Sequence, residues 1–505
     1  YAHNGALGEE ALLRSCASPQ PTARELEDSD WRTGFVSGYE RAALVVVGLW
    51  LVACLATLDY NGPFFDEAIY ITAGQRTLEG FGGGDGYLRW FAGSLLWPVL
   101  AGMGYNLAGL VGTRVVALSL AAVALLACLR AARNLFGPRA AFWTVVALAL
   151  SGPFVSLARL GVLDAPALAG LAVSFFAVTE LARSDNRGWL VLAVAGFALA
   201  VLSKYPSALM GLPLLGVLHT LRRTKAGLDT GIFGLAGLAV AVAYCLPVRQ
   251  ELAEFVAWRP GNVPTFGVTP LMAWYARLYL AGAPLLLAVW GWCLAQGQRR
   301  LASLLVFSLA IWPIYHALSG NAVSENKHTV YALLFAYPLA GLALSRLWMS
   351  LWGKAFTFVI VAGLAVLGFI QVEQANRAWP DVRPAAGYLV HQVRPGERLL
   401  ISEAWPYTLY LYDRWRITSP WDVYDVYRLT HGDSTIDLCE YDWFVDCQGS
   451  YPWPEPIADA IRRCGSFKPV FTATSAVVGL GPDLRFVVYP AQTTIWRNTG
   501  WVAAP

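Results

Sequence analysis

Long stretches without charge constrain this chain more than anything else in it. Apolar runs of about 17–25 residues, the length that crosses a bilayer, recur near 41–58, 110–129, 140–158, 164–182, 188–203, 206–221, 230–247, 278–296, 301–318, 329–345 and 354–372. They predict an α-helical polytopic membrane protein of about eleven spans. Composition agrees: 56% of the 505 residues are hydrophobic and only 14% charged, where a soluble domain carries about a quarter charged. A net charge of +3 gives no reason to expect nucleic acid as a partner. The expected surroundings are membrane lipids.

Basic residues set the orientation, because short cytoplasmic loops collect Lys and Arg. Arg130, Arg133 and Arg139 fall in one loop. Arg183 and Arg187 fall in a later one, then Arg222, Arg223 and Lys225, then Arg299 and Arg300, then Arg346 and Lys354. These are every second loop, and one missed span would break the alternation. The rule places a polar N-terminal segment, 1–38, in the cytoplasm. The segment shows no cleavable leader pattern. An odd span count puts the C-terminal part outside the cell or in the periplasm.

The domain reading follows. Residues 39–375 form the transmembrane domain, with a first outward loop at 59–109. Within that loop 90–107 is apolar but interrupted by Pro98, Gly102 and Gly104, and reads as a helix lying at the interface. Residues 376–505 regain charge and Pro and read as a small exoplasmic α/β domain. Strands are expected at 398–402, 443–445, 469–474 and 484–489, and a helix at 456–463. Cys54, Cys128, Cys245 and Cys293 lie in apolar runs as packing residues. Among Cys439, Cys447 and Cys464, an oxidising space would allow one disulfide with one thiol left over. The pair stays open.

The outward loops carry single charges in distinctive settings. Asp66 and Glu67 stand in Pro63-Phe64-Phe65-Asp66-Glu67-Ala68-Ile69-Tyr70, on a helix expected to run to Gly80. A carboxylate there can take a proton from an acceptor hydroxyl or help hold a divalent cation; the plainer alternative is an ordinary solvated loop. Arg159 and Asp164 occupy a tight turn, where they either pair with each other or line the mouth of a cavity shared with Asp66. Lys204, in Leu202-Ser203-Lys204-Tyr205-Pro206, either snorkels to lipid phosphates or meets an anionic leaving group. Lys327, His328 and Tyr331 enter a late span, where the first two can contact a phosphate and Tyr331 can donate a hydrogen bond. Polar groups gathered at one face suit a lipid head group meeting a water-soluble partner. A transporter tends instead to carry ionisable sites near the midplane.

Taken in order, these motifs resemble the class C glycosyltransferases, in the branch that holds the protein O-mannosyltransferases and the aminoarabinose transferase that modifies lipid A. The resemblance spans about residues 40–350. It rests on Pro63…Asp66-Glu67-Ala68…Tyr70 with Gly80, on Ala158-Arg159…Leu163-Asp164-Ala165-Pro166, on Leu202-Ser203-Lys204 with Pro206, and on Lys327…Tyr331 with Pro338. Where the family often has His-Pro-Pro in the first loop, this chain has Gly86-Tyr87-Leu88-Arg89-Trp90. The resemblance implies a polyprenyl-phosphate-linked sugar as donor and a lipid, glycan or protein hydroxyl as acceptor. It implies Asp66 as general base, with Glu67 supporting it or sharing a cation, and Asp164 placing the acceptor or a metal. Lys204 and Lys327, with Arg159, His328 and Tyr331, would meet the departing phosphate. No cofactor follows from the motifs with certainty, and a divalent cation, Mg²⁺ or Mn²⁺, held by Asp66 and Asp164 stays open. Rival readings are a catalytically silent subunit of a membrane complex, a lipid-head-group transporter, and a sugar-binding module built on the aromatics from Trp405 to Tyr427.

Overall fold

The computed structural model describes residues 38–81, 91, 93–222, 225–257, 284–319, 325–424, 438–447, 459, 461, 463–480 and 486–500. The N-terminal segment, apart from Gly38, lies outside the described residues, as does most of the helix expected at 456–463.

The helices, in chain order, are α1 (Gly38–Leu55), α2 (Phe65–Leu78), α3 (Leu96–Phe136), α4 (Pro138–Ala149), α5 (Gly152–Ala158), α6 (Asp164–Ser184), α7 (Gly188–Ser203), α8 (Gly211–Arg222), α9 (Ala226–Cys245), α10 (Arg249–Ala257), α11 (Pro284–Leu294), α12 (Arg299–Ser319), α13 (Glu325–Leu347), α14 (Leu351–Asn376), α15 (Arg383–Gln392) and α16 (Ala404–Asp413). Each of the eleven apolar runs contains helix, but the count of eleven spans is not reproduced. Among the described residues seven helices are long and apolar enough to cross a membrane, or eight if one bent pair counts as a span. The losses have local causes. The run at 140–158 is split into α4 and α5, bent by 70°, where Ser151 is extended and Pro153 opens the next helix. The run at 206–221 begins as a 3₁₀ turn, Tyr205–Met210, before the 12 residues of α8. Helix α7 has 16 residues, about 24 Å at the α-helical rise, short of a 30 Å hydrocarbon core. Part of the run at 278–296 lies outside the described residues.

The interrupted piece at 90–107 is helical from Leu96 and joins the following span as one 41-residue element, broken at Ala108 and Gly109. Ala108 leaves helical angles and Gly109 takes φ 60°, ψ −152°. That conformation is one glycine adopts without a Cβ penalty.

Helix α13 is the buried centre: from Val330 to Leu344 its apolar side chains are almost all enclosed. Helices α1, α9 and α14 turn long rows of Leu, Val and Phe outward, as lipid-facing helices do. The basic loops converge at one end. Arg130 and Arg133 both meet Glu40, and Arg139 donates to Tyr39 Oη at 3.1 Å. Arg222 bridges Asp229 and Asp185, each at 2.6 Å.

The C-terminal part forms a mixed sheet of β1 (Leu399–Ile401), β2 (Val423–Tyr424), β3 (Trp443–Cys447), β4 (Phe467–Leu480) and β5 (Phe486–Asn498), in the order β2-β1-β3-β5-β4. β1 runs parallel to β2 and β3, while β5 is antiparallel to both β3 and β4. Four of these strands overlap the expected ones; β2, α15 and α16 were not anticipated. The disulfide is Cys439–Cys464, and Cys447 is the thiol left over, buried against Tyr407. The aromatics at 405–412 are core. Tyr407 and Tyr412 pack within this part, and Trp405 packs with Trp97 and Phe91 against α2 and α3.

Candidate active site

Helix α2 is placed by contacts that leave no room to slide. Gly74 and Gly102 lie where α2 crosses α3. A Cβ on Gly74 would run into the Pro98 carbonyl, and one on Gly102 would meet Gly74 backbone at 2.7 Å. The helix ends at Gly80 with φ +91°, and Phe81 N–H reaches back to Arg76 O at 2.9 Å, closing the turn as glycine-terminated helices do. At the other end Pro63 and extended Phe64 precede the first turn. Asp66 and Glu67 sit in that turn, where the N-terminal dipole favours carboxylates.

The two neighbours have opposite fates. Glu67 is closed off, its side chain 0% exposed. Its Oε1 accepts from Arg114 Nε at 3.0 Å and Gly161 N–H at 2.7 Å. Its Oε2 accepts from an Arg114 terminal nitrogen at 2.8 Å and Phe64 N–H at 2.9 Å. A carboxylate offers about four lone-pair sites, and all are taken. Of the two roles expected for Glu67, supporting Asp66 or sharing a cation, this saturation favours support through position. Asp66, one residue earlier, keeps 29% of its side chain exposed and takes Lys327 Nζ at 2.5 Å.

A second pair lies beside the first. Asp164 opens α6 and is 2% exposed. It accepts from Lys204 Nζ at 2.5 Å and from Tyr331 Oη at 2.7 Å. Lys204 follows the last residue of α7 with an extended backbone, and the 3₁₀ turn Tyr205–Met210 follows it. Lys327 and Tyr331 both come from the first turns of α13. Four segments distant in sequence thus bring Asp66, Asp164, Lys204, Lys327 and Tyr331 to one end of the bundle.

Two expected members stand apart. Arg159 neither pairs with Asp164 nor reaches the lysines. It is buried, donates to the Thr57 carbonyl, and lies over the Tyr60 ring at 4.5 Å. His328 turns into the bundle, 4.2 Å from the Trp312 ring centroid in a stacked arrangement. Its Nδ1 is 3.0 Å from His316 Nε2. Its own Nε2 is buried without a hydrogen-bond partner among the described residues.

As cation ligands, Asp66 and Asp164 already hold ammonium groups. Among the described residues no three His, Cys, Asp or Glu side chains converge to hold a metal ion.

Sequence reasoning missed Arg114 and His316. Both carried a signal, because each is an ionisable residue inside an apolar run, and such residues are rarely idle.

Comparison with known proteins bears on the fold. A family model described as dolichyl-phosphate-mannose-protein mannosyltransferase matches residues 95–249, a window that holds Asp164 and Lys204 but not Asp66 or Lys327. The sequence matches no curated protein. Among solved structures, the chain is similar to ArnT from Cupriavidus metallidurans bound to undecaprenyl phosphate. The TM-score is 0.57 and the identity 17%, over 92% of this chain and 99% of that one. The apo state of the same protein gives 0.57 and 16%, over 91% and 98%. The oligosaccharyltransferase of Archaeoglobus fulgidus in the apo form gives 0.50 and 13%, over 91% of this chain and 74% of that one. The class C glycosyltransferase resemblance read from the motifs is thus shared by a family model over part of the chain and by the fold over most of it.

Proposed function

We propose that this protein is a membrane glycosyltransferase that moves a sugar from a polyprenyl-phosphate carrier to an acceptor hydroxyl on the non-cytoplasmic face. The observation that carries the reading is the meeting of the Asp66–Lys327 and Asp164–Lys204 pairs, from four distant segments, at one end of the bundle. The structural relative bound to undecaprenyl phosphate supports the carrier class.

Exposure divides the roles. Glu67 is 0% exposed, Asp164 2% and Asp66 29%. A general base must come within hydrogen-bond reach of the hydroxyl it deprotonates, so Asp66 is the base. The acceptor oxygen attacks the anomeric carbon as its proton passes to Asp66. The bond from that carbon to the carrier oxygen breaks, and polyprenyl phosphate leaves with the electron pair. Lys204 and Lys327 lie ready for the charge that develops, the preplaced stabilisation such a step needs. Both are held by carboxylates until an anion competes for them. Tyr331 fixes Asp164, which in turn aims Lys204.

The C-terminal part belongs to the same face, as a domain from about residue 376. Its disulfide suits an oxidising compartment, and its helix α16 packs on α2 through Trp405 and Leu409. A membrane-impermeant label directed to a tag after residue 380 should react from outside intact cells; reaction only after lysis would reverse the orientation.

Asp66→Asn is the direct test. Transfer from a polyprenyl-phosphate sugar should fall on the order of 10²–10⁴-fold, the range general base catalysis supplies, with the protein still folded in the membrane. Full activity in that variant would remove the base assignment.

A further inference from the structure

Arg114 is enclosed in the membrane domain, 0% exposed, five residues beyond the Ala108–Gly109 break in α3. A guanidinium has five N–H donors, and here all five are spent on one short segment. Two go to the Glu67 carboxylate, at 3.0 and 2.8 Å. The others go to backbone carbonyls, Leu58 at 2.8 Å, Asn61 at 3.0 Å and Gly62 at 3.1 Å. The guanidinium also covers the Tyr60 ring, 4.3 Å from its centroid. Every acceptor lies between residues 58 and 67. That segment is the approach to Asp66 and the helical turn that carries it.

The clamp is braced from the far side. Trp379 Nε1 donates to Gly62 O at 3.2 Å, and Asn61 donates its amide to Asn376 O and Trp379 O. Gly161 approaches closely enough for its N–H to meet Glu67, and a Cβ there would lie 2.6 Å from Thr113 Cγ2. The clamp is therefore saturated on both partners, with no lone pair of Glu67 and no donor of Arg114 left for substrate.

Neighbouring residues on a helix diverge by about 100°, one step of 3.6 residues per turn. Fixing the direction of Glu67 therefore fixes the direction of Asp66. We infer that Arg114, acting through Glu67 and the 58–62 carbonyls, is a positioning residue that aims the Asp66 carboxylate at Lys327 and the acceptor. The inference rests on Asp66 being the base of the proposed transfer. Arginine suits the task because its planar fork binds a carboxylate bidentately and stays charged. A lysine offers three donors from a single point and cannot span the same five acceptors.

A brace that only stabilises the fold would give the same contacts, so the test separates the two. The full-length protein in proteoliposomes, with undecaprenyl-phosphate mannose as donor and a membrane extract as acceptor source, is assayed as four forms: wild type, Arg114→Gln, Asp66→Asn and the double variant. Rates are taken per folded molecule. A misplaced base costs on the order of 100-fold in turnover, so Arg114→Gln should lower kcat by about that factor with the donor KM nearly unchanged. In the Asp66→Asn background the same change should cost less than about 3-fold, because residues acting as one unit are not additive. Arg114→Lys should fail to restore kcat. An equal fractional loss in both backgrounds, or a wild-type kcat in Arg114→Gln, would overturn the inference while leaving Asp66 as base. Activity in Asp66→Asn, or no turnover by wild type, would overturn the function itself and this inference with it. If Arg114→Gln does not accumulate, the paired Glu67→Gln, Arg114→Gln protein removes both buried charges together and carries the same expectations.

Discussion

Both ends of the helical bundle carry ion pairs, but the carboxylates singled out at each end meet different cations. At the basic end, the buried carboxylates Glu40, Glu180 and Asp229 are met by Arg133, Arg183 and Arg222. At the other end Asp66 and Asp164 are met by Lys327 and Lys204. Glu67, in the same turn as Asp66, is met instead by Arg114 and is fully closed. Arginine's rigid fork makes a fixed joint, whereas lysine is a compact charge on a flexible stem that can change partners. The buried carboxylates of the basic end are met by arginine, and Asp66 and Asp164, at the proposed phosphate site, by lysine.

That contrast can be broken by experiment. The largest effect is expected at the lysine end. Lys204→Ala and Lys327→Ala should each lower turnover by about 10²–10³-fold, the scale of losing one preplaced stabiliser of developing charge. The size-exclusion profile in detergent should stay that of wild type. Variants with near-normal rates would mean the lysines are as structural as the arginines.

Next comes Arg222→Ala at the basic end. It leaves Asp229, whose side chain is 0% exposed, with only Arg187 at 4.0 Å, and breaking one partner of a buried pair costs roughly 3–5 kcal/mol. The thermal midpoint should drop by several degrees while kcat per folded molecule stays near wild type. A selective loss of kcat at unchanged stability would tie that end to the chemistry.

The smallest effect is a pH response outside the membrane. Burial raises the Glu397 carboxyl, but Arg497, Arg394 N–H and the Trp443 indole together hold it below the usual range. A depressed carboxylate contributes stability above its unfolded pKa, about 4.3, and that contribution is lost as pH falls through the lower folded value. Glu397→Gln should therefore lower the thermal midpoint slightly at pH 7, with the gap closing below about pH 4. A gap of constant size would assign the effect to packing.

The sequence made some of this legible and hid the rest. Asp66, Asp164, Lys204 and Lys327 were visible because each interrupts an apolar run at a turn, where charge is costly unless it has work to do. Their pairing was not visible: Lys327 and Asp66 are 261 residues apart, and only tertiary packing brings α2 to α13. Arg159 and Asp164 sit in one turn, and proximity in sequence suggested a partnership that burial over Tyr60 replaces. Arg114 was hidden by its setting, since a single Arg barely changes the hydropathy of a 20-residue run. The same averaging made 206–221 look like a span, although Pro206 and the 3₁₀ turn shorten it.

In the proposed transfer, Lys204 and Lys327 exchange their carboxylates for the phosphate of a carrier lipid. An experimental structure of the protein with undecaprenyl phosphate tests this most directly. The expected result is phosphate oxygen within about 3 Å of both Nζ atoms, the hydrogen-bond range, with the Asp66 carboxylate released from Lys327. Phosphate bound elsewhere, with Lys327 still on Asp66 and Lys204 still on Asp164, would contradict it.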